Sequence, residues 1–400
     1  MADRLVITGA SGFLGRQLVP LLEQAGYVLT LAGRSPERLH QLFPDRHICA
    51  VQDIAQEAEE CRALLHLAVQ NNDVASTEEA FMAANADTLQ QVLTLQEKAG
   101  IKTLIYPTSL HATPDAKTAY GRSKYAAEQL LAGTTDLTVH LLRLPAVYGT
   151  QFQGRLKILN RVPPFARPVA RQALGCVKPM VHIETVAQAM QDTLKRSGPS
   201  EQIVTDDADQ NLIYRASKRF IDLGFALFVV IALWWLLLIV WIAVRLTSPG
   251  PGLFAQERLG QDQRPFTCYK FRTMQTGTKQ AGTHEVSQAS VTKLGQFLRR
   301  SKIDELPQVL NIFKGELSLV GPRPGLPVQH ALTAARAAQG VFAVRPGITG
   351  LAQVNGVDMS DPDALARLDA TYIKTRTLLL DLKIILATGL GRGLGDRTAQ

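Results

Sequence analysis

The sequence predicts an α/β chain: an amino-terminal doubly wound parallel sheet, then a membrane-embedded helix, then a second, smaller domain. Three observations predict it. Leu5-Val6-Ile7 runs directly into Thr8-Gly9-Ala10-Ser11-Gly12-Phe13-Leu14-Gly15 and a helical pattern, the strand–turn–helix order that opens such a sheet. Residues 223–244 carry no charged side chain. The charge also changes sign near that run: the net is −2 over residues 1–210 and +10 over 211–400.

A chain of 400 residues is long enough for two domains, each with its own core. A basic half beside an apolar segment points to anionic lipid headgroups and a phosphorylated substrate. Nucleic acid is not expected as a partner, because no basic-aromatic interleaving or nucleic-acid motif is present. Cys49, Cys61, Cys176 and Cys268 are scattered without paired-ligand spacing, so they read as reduced thiols and not a zinc site. The short apolar stretch Leu5–Ile7 is expected to be a strand, not a signal peptide.

In the first half, Gly9, Gly12 and Gly15 let the backbone turn tightly and approach a pyrophosphate at a helix N-terminus, the arrangement of a Rossmann-like sheet. The next strand, Tyr27 to Ala32, ends in Gly33-Arg34-Ser35. An acid there would favour an unphosphorylated ribose. Arg34 instead could pair with a 2′-phosphate, which favours NADP over NAD. With Asp53-Ile54, His66-Leu67-Ala68, Asn85 with Thr88, Thr108-Ser109, Tyr120-Gly121-Arg122-Ser123-Lys124 and Arg143 to Gly149, residues 3–205 resemble the extended short-chain dehydrogenase/reductase family of sugar-nucleotide epimerases, dehydratases and reductases. The resemblance places Asp53 on the adenine side and Ala68 in the cofactor site, with Tyr120, Lys124 and Ser109 as the catalytic set.

The spacing of that set has a chemical reason. Four residues apart on a helix, Tyr120 and Lys124 face the same way. The ammonium is expected to lower the tyrosine pKa, so that the phenol exchanges a proton with a sugar hydroxyl or ketone while Ser109 holds the same oxygen. Two departures narrow the activity. Only ten residues separate Ser109 from Tyr120, and about 55 follow Gly149 where the family builds its sugar pocket. The Asp-Glu pair of 4,6-dehydratases is missing beside Ser109. A C4 reduction, or a 4-epimerisation, remains, with reduction favoured because the sugar need not rotate. A non-catalytic nucleotide-sugar binding or dimerisation module is the alternative.

Asp206 to Gln210 is an acidic connector, followed by Arg215, Lys218 and Arg219 and then the uncharged run Leu223–Val244. Those 22 residues make a straight helix of roughly 33 Å, against a hydrocarbon core of about 30 Å. A single crossing would put the two halves on opposite sides, although the first needs a cytosolic dinucleotide. Cations flank both ends, so no positive-inside bias exists. The expectation is therefore a re-entrant helix, although Trp234-Trp235 stands where a helix-breaking Ser-Pro would make the bend simple.

Beyond it, SKIDELPQVLNIFKGELSLVGPRP sets Asp304-Glu305 among Arg299, Arg300, Lys302, Lys314 and Arg323. A carboxylate among cations at a membrane suits attack on a phosphate. A helix start, with two acids in its first turn before Pro307, is the competing explanation. Phe266 to Arg272 alternates like a strand, with Lys270 and Arg272 on one face.

Together with SPGPGLFAQERLG, PFTCYKFRTM and VRPGITGLAQVNG, this order of motifs closely resembles the monotopic phosphoglycosyl transferases, the bacterial sugar transferase family, over residues 215–390. The resemblance implies a small, mostly α, membrane-associated domain. It implies that Asp304 attacks the β-phosphate of a UDP-sugar with release of UMP, that undecaprenyl phosphate accepts the phosphosugar, and that Mg²⁺ assists with Asp304 as a ligand. Glu305 completes the dyad, Lys270, Arg272, Arg323 and Arg345 become phosphate ligands, and Asp369, Tyr372 and Asp381 are structural or membrane-apposed. The expected organisation is a dehydrogenase-like domain over 1–210, a linker and membrane helix over 211–247, and a transferase domain over 248–400. Such a fusion would sit on the cytoplasmic face of a bacterial inner membrane, in contact with its lipids, and is compatible with a homodimer. A membrane-tethered oxidoreductase with an inactive transferase is the competing class.

Overall fold

A computed structural model describes residues 3–58, 60–70, 77–150, 152–277 and 290–392. The chain divides into two compact units, one formed by Met1–Arg171 and Pro179–Asp206, the other by Gln172–Lys178 and Asp207–Gln400.

The first unit is built on seven parallel strands. In chain order they are β1 (Arg4–Thr8), β2 (Val28–Gly33), β3 (His47–Ala50), β4 (Ala63–His66), β5 (Thr103–Ser109) and β6 (Thr138–Leu144), then, after a small parallel pair β7 (Ala146–Tyr148) and β8 (Met180–His182), β9 (Ser200–Ile203). The spatial order is β3-β2-β1-β4-β5-β6-β9, so the strand order reverses between β1 and β4. Ligands of doubly wound sheets bind at that reversal, beyond the carboxyl ends of the strands.

Alternation along β1 explains why both faces are covered. Leu5 and Ile7 pack with Leu18 and Leu22 of the helix Phe13–Gln24 and with Val186 and Met190 of the helix Ile183–Leu194. Val6 faces the other way, onto Leu89 and Val92 of Thr88–Lys98 and Ala127 and Leu131 of Ala119–Ala132. All four cysteines are buried and unpaired.

The second unit begins with the helix Leu212–Ala232, which Asn211 caps by accepting the Tyr214 amide through Oδ1. A second helix, Trp234–Thr247, follows at 68°. Among the described residues no single helix is long and apolar enough to cross a membrane, whereas this bent pair has the length and composition to do so. The bend falls at Leu233, and the Trp235 indole donates to the Ala232 carbonyl at 2.9 Å. That bond supplies a partner for a group that a helix terminus leaves open, and it shows how the tryptophan pair accommodates a break without proline.

An antiparallel hairpin, β10 (Leu253–Leu259) and β11 (Pro265–Phe271), comes next, and the short parallel strands β12 (Ser318–Val320) and β13 (Gly347–Thr349) pair further on. Ala226 and Val229 of the first helix pack on Phe266, Cys268, Val309, Ile312 and Leu317, while Leu227, Phe228 and Ile231 remain exposed. One side of the bent pair thus belongs to the domain core and the other is uncovered.

Candidate active sites

In the first unit the glycine turn has the expected shape. Gly9 takes φ +79°, a left-handed conformation, and a side chain there would collide with the backbone of Leu67 and Ala68. A Cβ on Gly15 would overlap the backbone of Ala10, so the helix packs directly on the turn. Gly12 is the N-cap of Phe13–Gln24, which has no side-chain cap and no acid in its first turn. Its leading N–H groups are open to an anion. Arg34 follows the end of β2 and is exposed, Asp53 is exposed at the end of a 3-10 turn after β3, and Ala68 lies just beyond β4.

Ser109 ends β5, buried, and its Oγ accepts the His111 amide at 3.2 Å. Tyr120 and Lys124 share the helix Ala119–Ala132, with Tyr120 edge-on to Phe81. Lys124 is fully buried, and its Nζ donates to the Tyr106 hydroxyl and the Pro107 carbonyl, each at 3.2 Å. Burial drops its pKa to about 7. Lys124 is thus a titrating group tied to β5, partly neutral near pH 7. His66 stacks on Tyr106, shares a hydrogen bond with Thr8 Oγ1 through Nδ1, and is held neutral by burial and Lys124, with a pKa of about 3.

Two hydrogen-bond networks brace the helix Ala119–Ala132, one from Asn85, already among the residues that carry the resemblance, and one at Glu128, which the motif reading misses. Asn85, in a π-helical turn Ala83–Asp87, donates to Ser123 Oγ at 2.9 Å, and Ser123 donates to the Tyr120 carbonyl at 2.9 Å. Glu128 accepts from Thr108 Oγ1 at 2.6 Å and from Arg143 at 2.7 Å. Tyr120, Lys124 and Glu128 fall at i, i+4 and i+8, a polar stripe visible in the sequence but read only to its second member.

In the second unit the acid pair occupies a 3-10 turn, Ile303–Gln308, entered through Lys302 at φ +58°. A non-glycine residue in that region costs about 1–2 kcal/mol and marks a constrained turn. Both carboxylates are buried, which a simple helix start does not require. Glu305 Oε1 accepts from Lys270 Nζ at 2.9 Å and Arg323 Nη2 at 2.7 Å. Burial alone would raise its pKa, but Arg323 and Lys270 outweigh it and hold Glu305 well below the usual carboxylate range. Asp304 responds oppositely: burial and the Glu305 charge push it up to about 6, and its Oδ1 is buried without a hydrogen-bond partner.

Lys270 reaches Glu305 because it follows Phe266 and Cys268 on the buried face of β11. Arg272 does not join it. Its guanidinium is buried at the end of the second helix, donating to the carbonyls of Ser248 at 2.7 Å and Pro249 at 3.0 Å, so it ties the hairpin to that helix rather than meeting a phosphate. Arg345 is exposed and lines a separate cavity of about 830 Å³ with Arg215, Lys218, Arg219 and Arg376, which the acid pair does not reach.

Arg323 is held from behind. Its carbonyl accepts from Arg336 Nη1 at 2.8 Å, and Arg336 forms a buried ion pair with Asp369 at 2.6 Å. Asp381 accepts from Lys218 at 2.9 Å and from Tyr372 at 2.8 Å, and Asp222 accepts from the Leu319 amide at 2.8 Å. These bonds fix the Leu212–Ala232 helix to β12, which leads into Arg323. A cavity of about 300 Å³ opens beside Glu305, walled mostly by apolar groups including Phe225, Leu306, Ile348 and Ile385, with Lys302 and Arg392 also at its lining.

Residues 213–391 match the family model for bacterial sugar transferases, and residues 5–203 match that for the NAD dependent epimerase/dehydratase family. Over 171 residues, 43% of this chain and 84% of the relative, the sequence is 40% identical to the uncharacterized sugar transferase EpsL of Bacillus subtilis (strain 168).

The chain belongs to the bacterial sugar transferase family.

Other members are the UDP-glucose:undecaprenyl-phosphate glucose-1-phosphate transferases of Caulobacter vibrioides, 38% identical over 49% of this chain and 73% of the relative, and of Xanthomonas campestris pv. campestris, 36% identical over 48% and 41%. The chain therefore spans less than half the length of the Xanthomonas transferase. Among solved structures, a UDP-N-acetylglucosamine 4-epimerase from Bacillus cereus aligns with 51% of this chain and 78% of its own, at 19% identity and TM-score 0.41. Within the sugar transferase unit, the buried pair Arg336–Asp369 is the feature that motif reading missed. Its members lie 33 residues apart, and no local spacing announces such a pair.

Proposed function

We propose that this sugar transferase moves a sugar 1-phosphate from a UDP-sugar to undecaprenyl phosphate, and that the first unit finishes the same UDP-sugar by a C4 reduction or epimerisation. The observation that carries the transferase half is Asp304, a buried carboxylate with an oxygen left unbonded beside a Glu305 already neutralised by Lys270 and Arg323. With a pKa near 6 it is mostly ionised at neutral pH yet poorly solvated, which favours nucleophilic attack. An Asp304 oxygen bonds to the β-phosphorus as the bond to UMP breaks. The undecaprenyl phosphate oxygen then displaces the carboxylate, giving the diphosphate-linked sugar and free Asp304. Arg323 and Lys270 steady the charge of Glu305 and offer remaining donors to phosphate, and the apolar cavity beside Glu305 suits the first prenyl units of the acceptor.

Among the described residues no group of three or more metal-ligating side chains exists. The orphaned Asp304 oxygen nevertheless fits Mg²⁺, which commonly takes one or two carboxylates and completes its shell with substrate phosphates and water. Bound there, the ion would neutralise diphosphate charge. In the first unit the uncapped helix behind Gly12 fits a dinucleotide pyrophosphate, and Arg34 favours NADP over NAD. The nicotinamide would supply or accept the hydride. Tyr120 exchanges the proton at the sugar oxygen, Ser109 holds that oxygen, and Lys124 sets the charge behind them. A UDP-4-keto-6-deoxy-N-acetylhexosamine serves both units with one reduction between them.

The bent pair enters the cytoplasmic leaflet and returns, leaving both units, here taken as 1–210 and 248–400 flanking 211–247, on the face where nucleotide sugars are made. Release of UMP from UDP-sugars, measured with Mg²⁺ and undecaprenyl phosphate, tests the transferase. Asp304→Asn should reduce turnover to background, and unchanged turnover in that variant refutes Asp304 as nucleophile. NADPH oxidation with a UDP-4-keto sugar tests the first unit. Tight UDP-sugar binding without oxidation would make that unit a binding module.

A further inference from the structure

The segment between β7 and β8 leaves several large apolar side chains exposed. Leu156 and Leu159 point inward, but Ile158 does not. Val169 and Ala173, four apart, share one side of the helix Arg167–Gly175, and Phe165 and Val177 flank it; Phe165 is 86%, Val169 63% and Val177 50% exposed. Residues 154–178 contain six Lys or Arg and no Asp or Glu, within a half of the chain whose net charge is −2. Arg167 and Arg171 are occupied with the Val162 carbonyl and the Tyr148 hydroxyl, whereas Lys157 and Arg161 are exposed. An apolar stripe with cations at its margin is the pattern of an interfacial helix.

The far end of the segment supplies the second argument. Asn211, the cap of the helix Leu212–Ala232, donates to the Gln172 carbonyl at 2.8 Å. The Leu378 amide donates to the Cys176 carbonyl at 2.7 Å. Leu378 opens the helix Leu378–Gly389, where Leu379, Leu382, Leu386 and, just beyond, Leu390 form another exposed stripe, with Leu390 at 85%. Within the second unit, residues 172–178 at the end of this segment are thus bonded to the cap of the Leu212–Ala232 helix and to the start of a helix with its own uncovered apolar stripe. Exposed apolar area of this extent marks an interaction surface.

We propose that Phe165, Val169, Ala173 and Val177 lie in the headgroup–acyl boundary of an anionic bilayer, with Lys157 and Arg161 on lipid phosphates. The segment is then a membrane contact additional to the bent pair. This rests on the reading that residues 212–247 enter the membrane. The full chain with Val169→Cys, labelled with a nitroxide and reconstituted in vesicles of phosphatidylethanolamine and phosphatidylglycerol, tests it, since the four native thiols are buried. Collision with oxygen and with an aqueous nickel chelate is compared with two further labels, Leu238→Cys in the bent pair and Gln41→Cys on an exposed helix of the first unit. The Val169 label should be shielded from nickel about tenfold better than the Gln41 label, and less so in phosphatidylcholine vesicles. A Val169 label as wet as Gln41, with Leu238 shielded, overturns the proposal and leaves the membrane-entering helix intact. Val169 and Leu238 both wet overturns that helix reading as well. Shielding accompanied by spin–spin broadening between copies that persists in detergent assigns the stripe to a second copy of the chain and overturns the lipid contact.

Discussion

Removing the Arg336 side chain separates two roles of the buried pair behind Arg323. Arg336 and Asp369 are both buried, with guanidinium–carboxylate contacts of 2.6 and 3.0 Å, and Arg336 also holds the Arg323 carbonyl. Arg336→Met alone leaves Asp369 buried and unpaired, a loss of about 3–5 kcal/mol. Replacing both, Arg336→Met with Asp369→Leu, removes the uncompensated charge and should be near neutral or stabilising by about 1–4 kcal/mol, less about 1 kcal/mol for the lost bond to the carbonyl. Trp234, Trp235 and Trp241 are the chain's three tryptophans, so denaturant unfolding followed by their fluorescence reports on the sugar transferase unit. Turnover should behave differently. The double variant regains stability but not the anchor of the Arg323 loop, so UMP release should stay about fivefold to tenfold below wild type, the equivalent of roughly 1 kcal/mol. A double variant as unstable as the single one refutes the ion-pair account. A stable double variant with full turnover refutes the positioning of Arg323.

Other perturbations follow from the same geometry. Because the folded pKa of Lys124, about 7, lies below its unfolded value, the unfolded chain binds more protons between the two. Stability of the first unit should therefore rise as pH increases from about 7 toward 10. Lys124→Met should flatten that slope in thermal unfolding and abolish sugar oxidation or reduction; an unchanged slope would place the lysine in solvent. Gly15→Ala forces a methyl into the Ala10 backbone and should lower stability by about 1–3 kcal/mol and weaken dinucleotide binding, measured by calorimetric titration. Trp235→Phe keeps an aromatic ring, smaller than the indole, and removes the bond to the Ala232 carbonyl. A loss of about 1 kcal/mol and a broader distance distribution between spin labels at Leu227 and Leu238 are expected; an unaltered distribution would show that the indole N–H does not hold the bend.

The doubly wound sheet was legible because local and global signals agree. Apolar residues fill both faces of β1, glycines stand where the backbone must turn and pack closely, and the helices recur between strands. Glu305 with Lys270 and Arg323 was legible for a different reason. The motifs that resemble the transferase family bring the three to one site, though as a dyad acid and two phosphate ligands; that the two cations converge on Glu305 follows from the cost of leaving a buried carboxylate unpaired. That logic reaches no further than charge. It does not say that Lys124, buried beneath β5, loses much of its proton, or that Arg336 must find Asp369. Both depend on solvent exclusion, which emerges only once distant elements pack.

Arg272 and Trp235 show where motif reading and physics part. One was read as a phosphate ligand and the other as an obstacle to bending, each judged by its side-chain chemistry alone. Both instead occupy backbone carbonyls freed where a helix of the bent pair stops: Arg272 those of Val244, Ser248 and Pro249, and Trp235 that of Ala232. In the proposed membrane site water would be a poor substitute acceptor or donor, and an open carbonyl would cost several kcal/mol. The demand for donors is therefore highest at the bend and at the exit of this pair, where the last carbonyls of a helix lack backbone partners and Pro249, at the exit, has no N–H to give. A side chain with fixed, outward N–H groups meets that demand; lysine, whose hydrated ammonium resists burial, does so less well. Arg272→Lys should consequently loosen the exit of the second helix while leaving Asp304 and Glu305 in place. Hydrogen exchange of the Val244–Gly250 amides, faster in the variant with UMP release largely retained, would establish the anchoring role, whereas slow exchange with lost turnover would return Arg272 to the phosphate.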